Sequence, residues 1–288
     1  MSRVATATAQ RLETATLRLT TLSALRQEEG RQRFAWPSRV STERLATSQQ
    51  LLALSGLPEF GELNDEQRWR LALDEAVHFF SLNIGGEREL MSGIALRLYR
   101  GRPAFVSHYL LHFLEEESAH TAVFARFCLQ YSGTIDPDYP LRFPRQFLPG
   151  EEEFVFFGRV LVFEEIAHFY NRRIAADPDV WSLARQINAY HAEDETRHIA
   201  FGRLLLDDLW ERWAPQWSVE ERRRIGGSLR DYMDSVVRSY VSPQICRELQ
   251  SAPGLRARVL ASEHWKSLSA ASTARVTRWL DRFSEAGS

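Results

Sequence analysis

The chain has 288 residues, of which 44% are hydrophobic, so it is long enough to bury the core of one large bundle or two small domains. Its 36 basic and 38 acidic residues give a net charge of −2, which offers no reason to expect a nucleic-acid partner or an anionic membrane surface. Only two cysteines, Cys128 and Cys246, are present, so a disulfide framework and a thiolate zinc site are excluded. Any metal ligands must be oxygen and nitrogen.

The first part of the chain carries no recognisable chemistry. Residues 1 to about 30 lack the unbroken apolar core of a signal peptide, and no later segment is apolar enough to span a bilayer, so we expect a cytoplasmic protein with no membrane partner. Their alanines, threonines and irregular leucines indicate a loosely docked helix or a frayed arm. The segment 41–56 predicts a helix that Ser41 caps and Gly56 ends.

A long helical pattern then begins at Asn64, a predicted N-cap. The pair Gly85-Gly86 weakens it by roughly 1 kcal/mol per glycine relative to alanine, which a kink or the close approach of another backbone or a ligand would explain. Glu87 is the inward carboxylate of this helix, because it is in phase with the apolar residues Leu90, Met91, Ile94 and Leu98.

Pro103 sets the first turn of the next helix, which is predicted to end near Gly133. Glu117 and His120 form an E-x-x-H motif on its inward stripe, whereas Glu115 and Glu116 project elsewhere. Three further histidines, which we interpret as structural rather than ligating, lie on these two helices: His78, His108 and His112.

Residues 131–150 hold four prolines and two glycines and predict one long connection. The next helix is almost entirely apolar from Phe154 to Tyr170, which is typical of a buried helix. Glu164 and Glu165 are both candidates for its inward carboxylate, and we choose Glu164 because it lies closer to the face opposite Arg159. His168 forms a further E-x-x-H with Glu165, and we interpret it as packing or hydrogen-bonding beneath the site.

The segment HAEDETRHIAF, residues 191–201, places His191, Glu195 and His198 at i, i+4 and i+7 on one helical stripe. That stripe continues into apolar residues, so these side chains point into the interior, where unpaired polar groups are costly. Asp194 lies one position off the stripe. There it can accept the second ring N–H of a metal-bound histidine from a neighbouring helix.

In chain order the inward residues read E, E-x-x-H, E, E-x-x-H. This order predicts an all-α, ferritin-like four-helix bundle in which two carboxylates and two E-x-x-H motifs converge on a dinuclear iron or manganese site. We expect one helical domain over residues 1–288, with the metal-binding core at about residues 65–205 and additional flanking helices formed by the segments after Pro215.

His191 adds an imidazole to the minimal six-ligand set. With this addition the chain resembles the p-aminobenzoate N-oxygenase family over roughly residues 65–205. The resemblance implies two iron ions, with manganese as an alternative at one position. It also implies an arylamine substrate that is oxidised to a hydroxylamine, nitroso or nitro product, together with dioxygen and an external electron donor. The ligands carried over are Glu87, Glu117, His120, Glu164, His191, Glu195 and His198.

Two other functions fit a dinuclear carboxylate site. One is hydroxylation or desaturation at carbon of a small molecule or a carrier-bound acyl group. The other is ferroxidase activity with iron storage, which the length of the chain and its aromatic core helices disfavour. For an oxygenase we expect a monomer or a homodimer.

Overall fold

The computed structural model describes residues 3–28, 34–137, 146–243 and 254–285, and Cys246 lies outside these ranges. Within them the chain forms nine α-helices and no β-strand, which confirms the predicted all-α, ferritin-like fold. The helices are α1 (Arg3–Glu28), α2 (Pro58–Glu62), α3 (Asp65–Ala95), α4 (Ala104–Tyr131), α5 (Glu151–Ala176), α6 (Ser182–Trp213), α7 (Val219–Ser239), α8 (Leu255–Ala261) and α9 (Glu263–Glu285).

Local hydrogen bonds and backbone conformations determine where the core helices begin and end. Asn64 caps α3 in a capping box with Gln67, as the sequence predicts. Pro103 precedes the first turn of α4, and the N–H of Gly133 bonds the carbonyl of Cys128 beyond the last turn. Gly133 has φ +76°, a left-handed conformation that favours glycine.

The four long helices α3 to α6 form two hairpins, and the contacts between the hairpins give their relative directions. Between α3 and α5, Gly86 faces Phe163, Gly93 faces Phe156, and Arg97 bonds Glu152. As the residue number rises along α3, the number of its partner on α5 falls by the same amount. The two helices are therefore antiparallel. Because α3 is also antiparallel to its hairpin partner α4, helices α4 and α5 run in the same direction. Two consecutive helices that run in the same direction need a connection as long as the bundle, which explains residues 132–150. Of these, residues 138–145 lie outside the described ranges.

Three other helices cover the bundle. Helix α1 packs against α4 and α6, with Leu12, Thr16 and Ser23 buried. Of the two structures expected for this segment, a docked helix or a frayed arm, it forms the docked helix. Helices α7 and α9 pack against α5 on another side of the bundle. Among the described residues, none of these helices is long and apolar enough to cross a membrane.

The predicted helix over residues 41–56 is wrong. This segment is irregular, with two short 3₁₀ turns at Gln49–Leu51 and Ala53–Gly56. Its polar groups bond each other in these short turns and also bond other parts of the chain: the carbonyl of Leu45 accepts from the N–H of Trp181, and the N–H of Ala53 donates to Glu75. Short turns and tertiary hydrogen bonds therefore replace the helical ladder here.

We predict that Gly150→Ala destabilises the protein by about 2 kcal/mol or more. Gly150 lies before the first turn of α5 with φ +76°, and a Cβ there would overlap the ring of Trp213. The matched control is Gly227→Ala on α7, where a Cβ would meet nothing within 4 Å. This substitution should stabilise by up to about 1 kcal/mol. Urea unfolding measures both, and a Gly150→Ala protein as stable as the parent would contradict the described entry into α5.

Candidate metal centre

Seven buried side chains from the four bundle helices converge in the interior, and each is at most 3% exposed. Their donor atoms fall into two groups, and within each group the atoms lie within 4.8 Å of one another. The first group is Glu87, Glu117, His120 and His191, and the second is Glu117, Glu164, Glu195 and His198. These are the seven residues that the sequence analysis selects.

Two glutamates, one from each E-x-x-H motif, lie between the groups. Glu117 belongs to both. Glu195 lies 2.6 Å from Nε2 of His191, 3.9 Å from Nδ1 of His120 and 3.6 Å from Nδ1 of His198, so it also faces both groups. The two upstream carboxylates are divided, one in each group. This is a bridging arrangement for two cations.

Several donor atoms in this centre are buried without a hydrogen-bond partner. They are Oε1 of Glu87, Oε1 of Glu117, both oxygens of Glu195 and Nδ1 of His198. Each such atom costs about 1 to 3 kcal/mol when it is left unsatisfied, and here the unsatisfied atoms face one another. Because carboxylate and imidazole donors suit divalent iron and manganese, the residues fit two such ions.

Each motif histidine is held by the other motif. Nε2–H of His120 donates to Asp194 over 3.0 Å, and Nε2–H of His198 donates to Glu116 over 2.8 Å. Both rings therefore present Nδ1 to the centre. The role expected for Asp194 agrees with this geometry. Glu116 lies outside both donor groups, in line with its expected projection away from the inward stripe, but it is buried and holds His198. Its equivalence to Asp194 in the two motifs is the sequence signal for this role.

Arg197 joins the two carboxylates that hold these rings. Its Nη2 lies 2.5 Å from Glu116 and 2.7 Å from Asp194, and its Nε donates to the hydroxyl of Ser23 on α1. Arg26, also on α1, lies 3.6 Å from Asp194. The first helix thus closes this side of the centre. That contact could not be predicted from the sequence, because a single serine and a single arginine on a polar helix have no distinctive pattern.

His191 has a different partner and a different orientation. The side-chain amide of Asn171 lies 2.6 Å from its Nδ1, while Nε2 points at Glu195 and lies 3.5 Å from Glu87. When the amide oxygen is turned to the ring, it accepts Nδ1–H and leaves the Nε2 lone pair for a metal. Asn171 is fully buried and lies seven residues after Glu164, on the same face of α5. That spacing is the sequence signal that could have identified it.

The other candidates lie outside the centre. Glu165 pairs with Arg203 and Arg275, so the structure brings Glu164 and not Glu165 into the donor groups. His168 is buried and hydrogen-bonds the backbone at Ala192. Its burial and the charges of Arg172 and Arg275 lower its pKa to about 4.

The remaining three histidines are also absent from both donor groups. The ring of His78 bonds Asp136 and the carbonyl of Ser239, each over 2.8 Å, and so joins α3 to the connection after α4 and to the end of α7. His108 and His112 both lie on α4.

Burial and mutual charge set the protonation of the metal-free centre. Burial raises the pKa of Glu87 well above its usual value, and nearby Glu117 adds to this. Burial also raises the pKa of Glu195. Burial alone would lower the pKa values of His120 and His198, but hydrogen bonds and charges from the surrounding carboxylates reverse the shift and raise both. Protons therefore compete with metal ions for these donors, and metal binding weakens as the pH falls.

Comparison with known families agrees with this geometry. The family described as P-aminobenzoate N-oxygenase AurF matches residues 10–284 of the 288-residue chain. The chain belongs to the AurF family. A search of the curated proteins returns no match. The resemblance seen in the sequence is confirmed, and membership extends well beyond the expected residues 65–205. The AurF family is a family of oxygenases, which places the protein among the oxidoreductases.

A cavity of about 520 Å³ lies between α3, α5 and α7 of this AurF-family protein. Gly86 and Leu90 of α3 and Val160 and Phe163 of α5 line it, and none of the seven residues of the donor groups does. Its outer side is formed by α7. Gly86 is needed here because a Cβ would overlap the ring of Phe163. The close approach at Gly86 is therefore made by an aromatic side chain, and not by the backbone or the ligand expected at Gly85-Gly86.

We predict that Asp194→Asn lowers the affinity for Co(II) by about 10 to 100-fold, because His120 loses its charged acceptor. Absorption titration under anaerobic conditions measures the affinity, and circular dichroism checks the helical content. The matched control is Glu193→Gln, one residue earlier, whose exposed side chain contacts Arg26. Equal Co(II) affinities in the two variants would show that Asp194 does not support a ligand.

Proposed function

We propose that the protein is a dinuclear iron oxygenase that oxidises the amino nitrogen of an arylamine. The observation that carries this proposal is the pair of donor groups that share Glu117 inside an AurF-family chain. In this proposal the two donor groups would hold two iron ions, and Glu117 and Glu195 face both groups. Glu87, His120 and His191 belong to the first group, and Glu164 and His198 belong to the second.

Charge balance supports two ions rather than one. Four carboxylates carry four negative charges when they are ionised, and the three imidazoles are neutral when they act as ligands. Two divalent cations cancel this charge. A single divalent cation would leave a net negative charge in an apolar interior, which is strongly unfavourable unless the carboxylates retain protons.

The bound iron ions supply dioxygen activation, and the residues of the chain supply position and exclusion of water. Asp194, Glu116 and Asn171 fix the three rings, and Phe113 stacks on the ring of His198 with centroids 3.7 Å apart. Thr121 donates to Glu87 over 2.8 Å and orients that carboxylate. An external electron donor supplies the electrons that reduce the second oxygen atom of dioxygen to water.

The distribution of nitrogen supports a role in amine oxidation rather than iron storage. Two imidazoles lie in the first donor group and one lies in the second, so the two positions are chemically unequal. Hydroxylation at carbon is the second candidate, because the same donor groups are compatible with it.

We predict that anaerobic titration with Fe(II) saturates at about two ions per chain. After addition of oxygen, a reductant and an arylamine, mass spectrometry should detect hydroxylamine, nitroso or nitro products. Glu117→Ala should abolish both iron binding at two positions and product formation. Saturation at one ion would contradict the dinuclear centre. Oxidation at carbon with an unchanged amino group would favour the hydroxylase.

We predict that His191→Ala retains the helical fold but weakens the binding of one iron ion by at least about 10 to 100-fold and abolishes amine oxidation. The reason is that the first ion loses one of its two imidazoles. The matched control is His168→Ala, which removes a buried histidine outside both donor groups. Iron stoichiometry and product yield are measured for both. Two tightly bound ions and full turnover in His191→Ala would show that His191 is not a ligand.

A further inference from the structure

We propose that electrons from the external donor reach the metal centre through a row of four aromatic rings, and that Trp36, at the outer end of this row, is the residue that is oxidised and reduced in turn. The row consists of Trp36, Phe34, Tyr190 and the ligand ring of His120. The inference rests on the proposed function for its oxidant, which is the iron bound in the centre after reaction with dioxygen.

The four rings are in contact from the centre to the surface. The ring of Tyr190 stands edge-on to that of His120, with centroids 5.3 Å apart. Phe34 stands edge-on to Tyr190 at 5.7 Å and to Trp36 at 5.9 Å. These separations are typical of packed aromatic pairs. His120 is fully buried and Tyr190 is 8% exposed, whereas Phe34 and Trp36 are half-buried. An electron at Trp36 therefore has a packed path to a ligand of the centre.

The segment that carries Trp36 is irregular, but side chains of α4 hold it in place. The side-chain amide of Gln130 and the hydroxyl of Tyr131 both donate to the carbonyl of Pro37, over 2.7 Å and 2.8 Å. The ring of Trp36 also stacks on that of Tyr131, with centroids 6.4 Å apart. Because the rate of electron transfer falls steeply with distance, a route of this kind requires rings at fixed separations.

Trp36 differs in this respect from other half-buried tryptophans of the chain. Trp210 contacts Phe154, Trp217 and Phe283, and within the described ranges no further ring contact connects this group to a histidine of the centre. Trp69 donates its indole N–H to the carbonyl of Ser41. Trp210 is therefore a matched comparison for Trp36, with a similar degree of burial but without the row of rings.

The indole of Trp36 is the group in the row that changes its oxidation state. It gives one electron to the oxidised iron and becomes a radical cation, and the external one-electron donor returns that electron to it. No bond forms or breaks in this exchange, and no proton moves. The ring of Phe34 is too difficult to oxidise, and oxidation of Tyr190 would require the departure of its hydroxyl proton. We therefore assign to these two rings the role of packed contacts.

Arg126 limits how long the oxidised indole persists. Its guanidinium lies over the ring of Trp36, 4.2 Å from the centroid. A cation in this position is attracted to the neutral ring, but it repels a radical cation. Oxidised Trp36 is therefore short-lived and readily reduced. This property suits a point of electron entry better than a site that stores a radical.

Freeze-quench electron paramagnetic resonance tests the route. The full-length protein, labelled with ring-deuterated tryptophan in one sample, is loaded with Fe(II) and mixed with oxygenated buffer without amine or donor. We expect a transient radical whose hyperfine structure narrows on deuteration and which ascorbate removes. Trp36→Phe should lose this signal and the matched control Trp210→Phe should keep it, while circular dichroism shows that both retain the fold. A signal that survives in Trp36→Phe would overturn the proposal.

Arg126→Gln removes the cation over the ring, so the radical should persist longer than in the parent protein. This variant keeps the test decisive if the radical of the parent decays before it is trapped. Absence of an indole radical from both the parent and Arg126→Gln would overturn the proposal.

Phe34→Ala tests the path itself, because it opens a gap between Tyr190 and Trp36. We expect a lower yield of the Trp36 radical than in the parent protein. The matched control is Phe169→Ala, which removes a half-buried ring of α5 outside the row. Equal yields in the two variants would show that the electron does not pass through Phe34, and the route would be wrong.

The route and the proposed reaction fail in different ways. A radical at Trp36 without oxidation of any arylamine at nitrogen would support the route and reject the reaction. Oxidation at nitrogen without a radical at Trp36 would reject the route and support the reaction. No uptake of oxygen by the iron-loaded protein would reject both.

Discussion

The burial of four carboxylates inside an apolar bundle is the constraint on which the other polar contacts of the core depend. An isolated buried charge is strongly unfavourable, so each carboxylate needs a cation, a proton or a hydrogen-bond donor. The histidines meet part of this need, and they are themselves held by Asp194, Glu116 and Asn171. Arg197 then balances the charges of Glu116 and Asp194. The centre is therefore surrounded by alternating charges that extend to helix α1.

The direction of the helices makes this arrangement possible. Glu116 reaches His198 and Asp194 reaches His120 because α4 and α6 are antiparallel, so that residues before one motif face the histidine of the other. The long connection between α4 and α5 permits that direction. Between the described residues of α3 and α5, no equivalent network of charged side chains surrounds the centre. Aromatic side chains of α5 pack against glycines of α3 there instead, so the contact between these two helices is apolar.

Much of the fold could be predicted from the sequence because the spacing of the ligand residues matches the period of an α-helix. Glu87, Glu117 and Glu195 lie on apolar stripes, so their inward orientation follows from phase alone. The choice of Glu164 as the inward carboxylate is harder, because α5 is apolar on every side and helical phase barely separates Glu164 from Glu165. Helical phase correctly separates Glu116 from the ligands, but phase alone does not predict that Glu116 holds His198. The helix predicted over 41–56 is wrong because hydrogen bonds to distant residues, which no local pattern records, hold this segment together with short turns.

The docking of α1 has a consequence for how the chain reaches its native state. Ser23 and Arg197 bond each other across 174 positions of the chain. Helix α1 is synthesised first, but it cannot complete its contacts until α6 has been made. Closing so long a loop is entropically costly, and contacts of this kind form late in folding. During synthesis the polar side of the bundle therefore stays accessible to water and ions until its first helix returns to cover it.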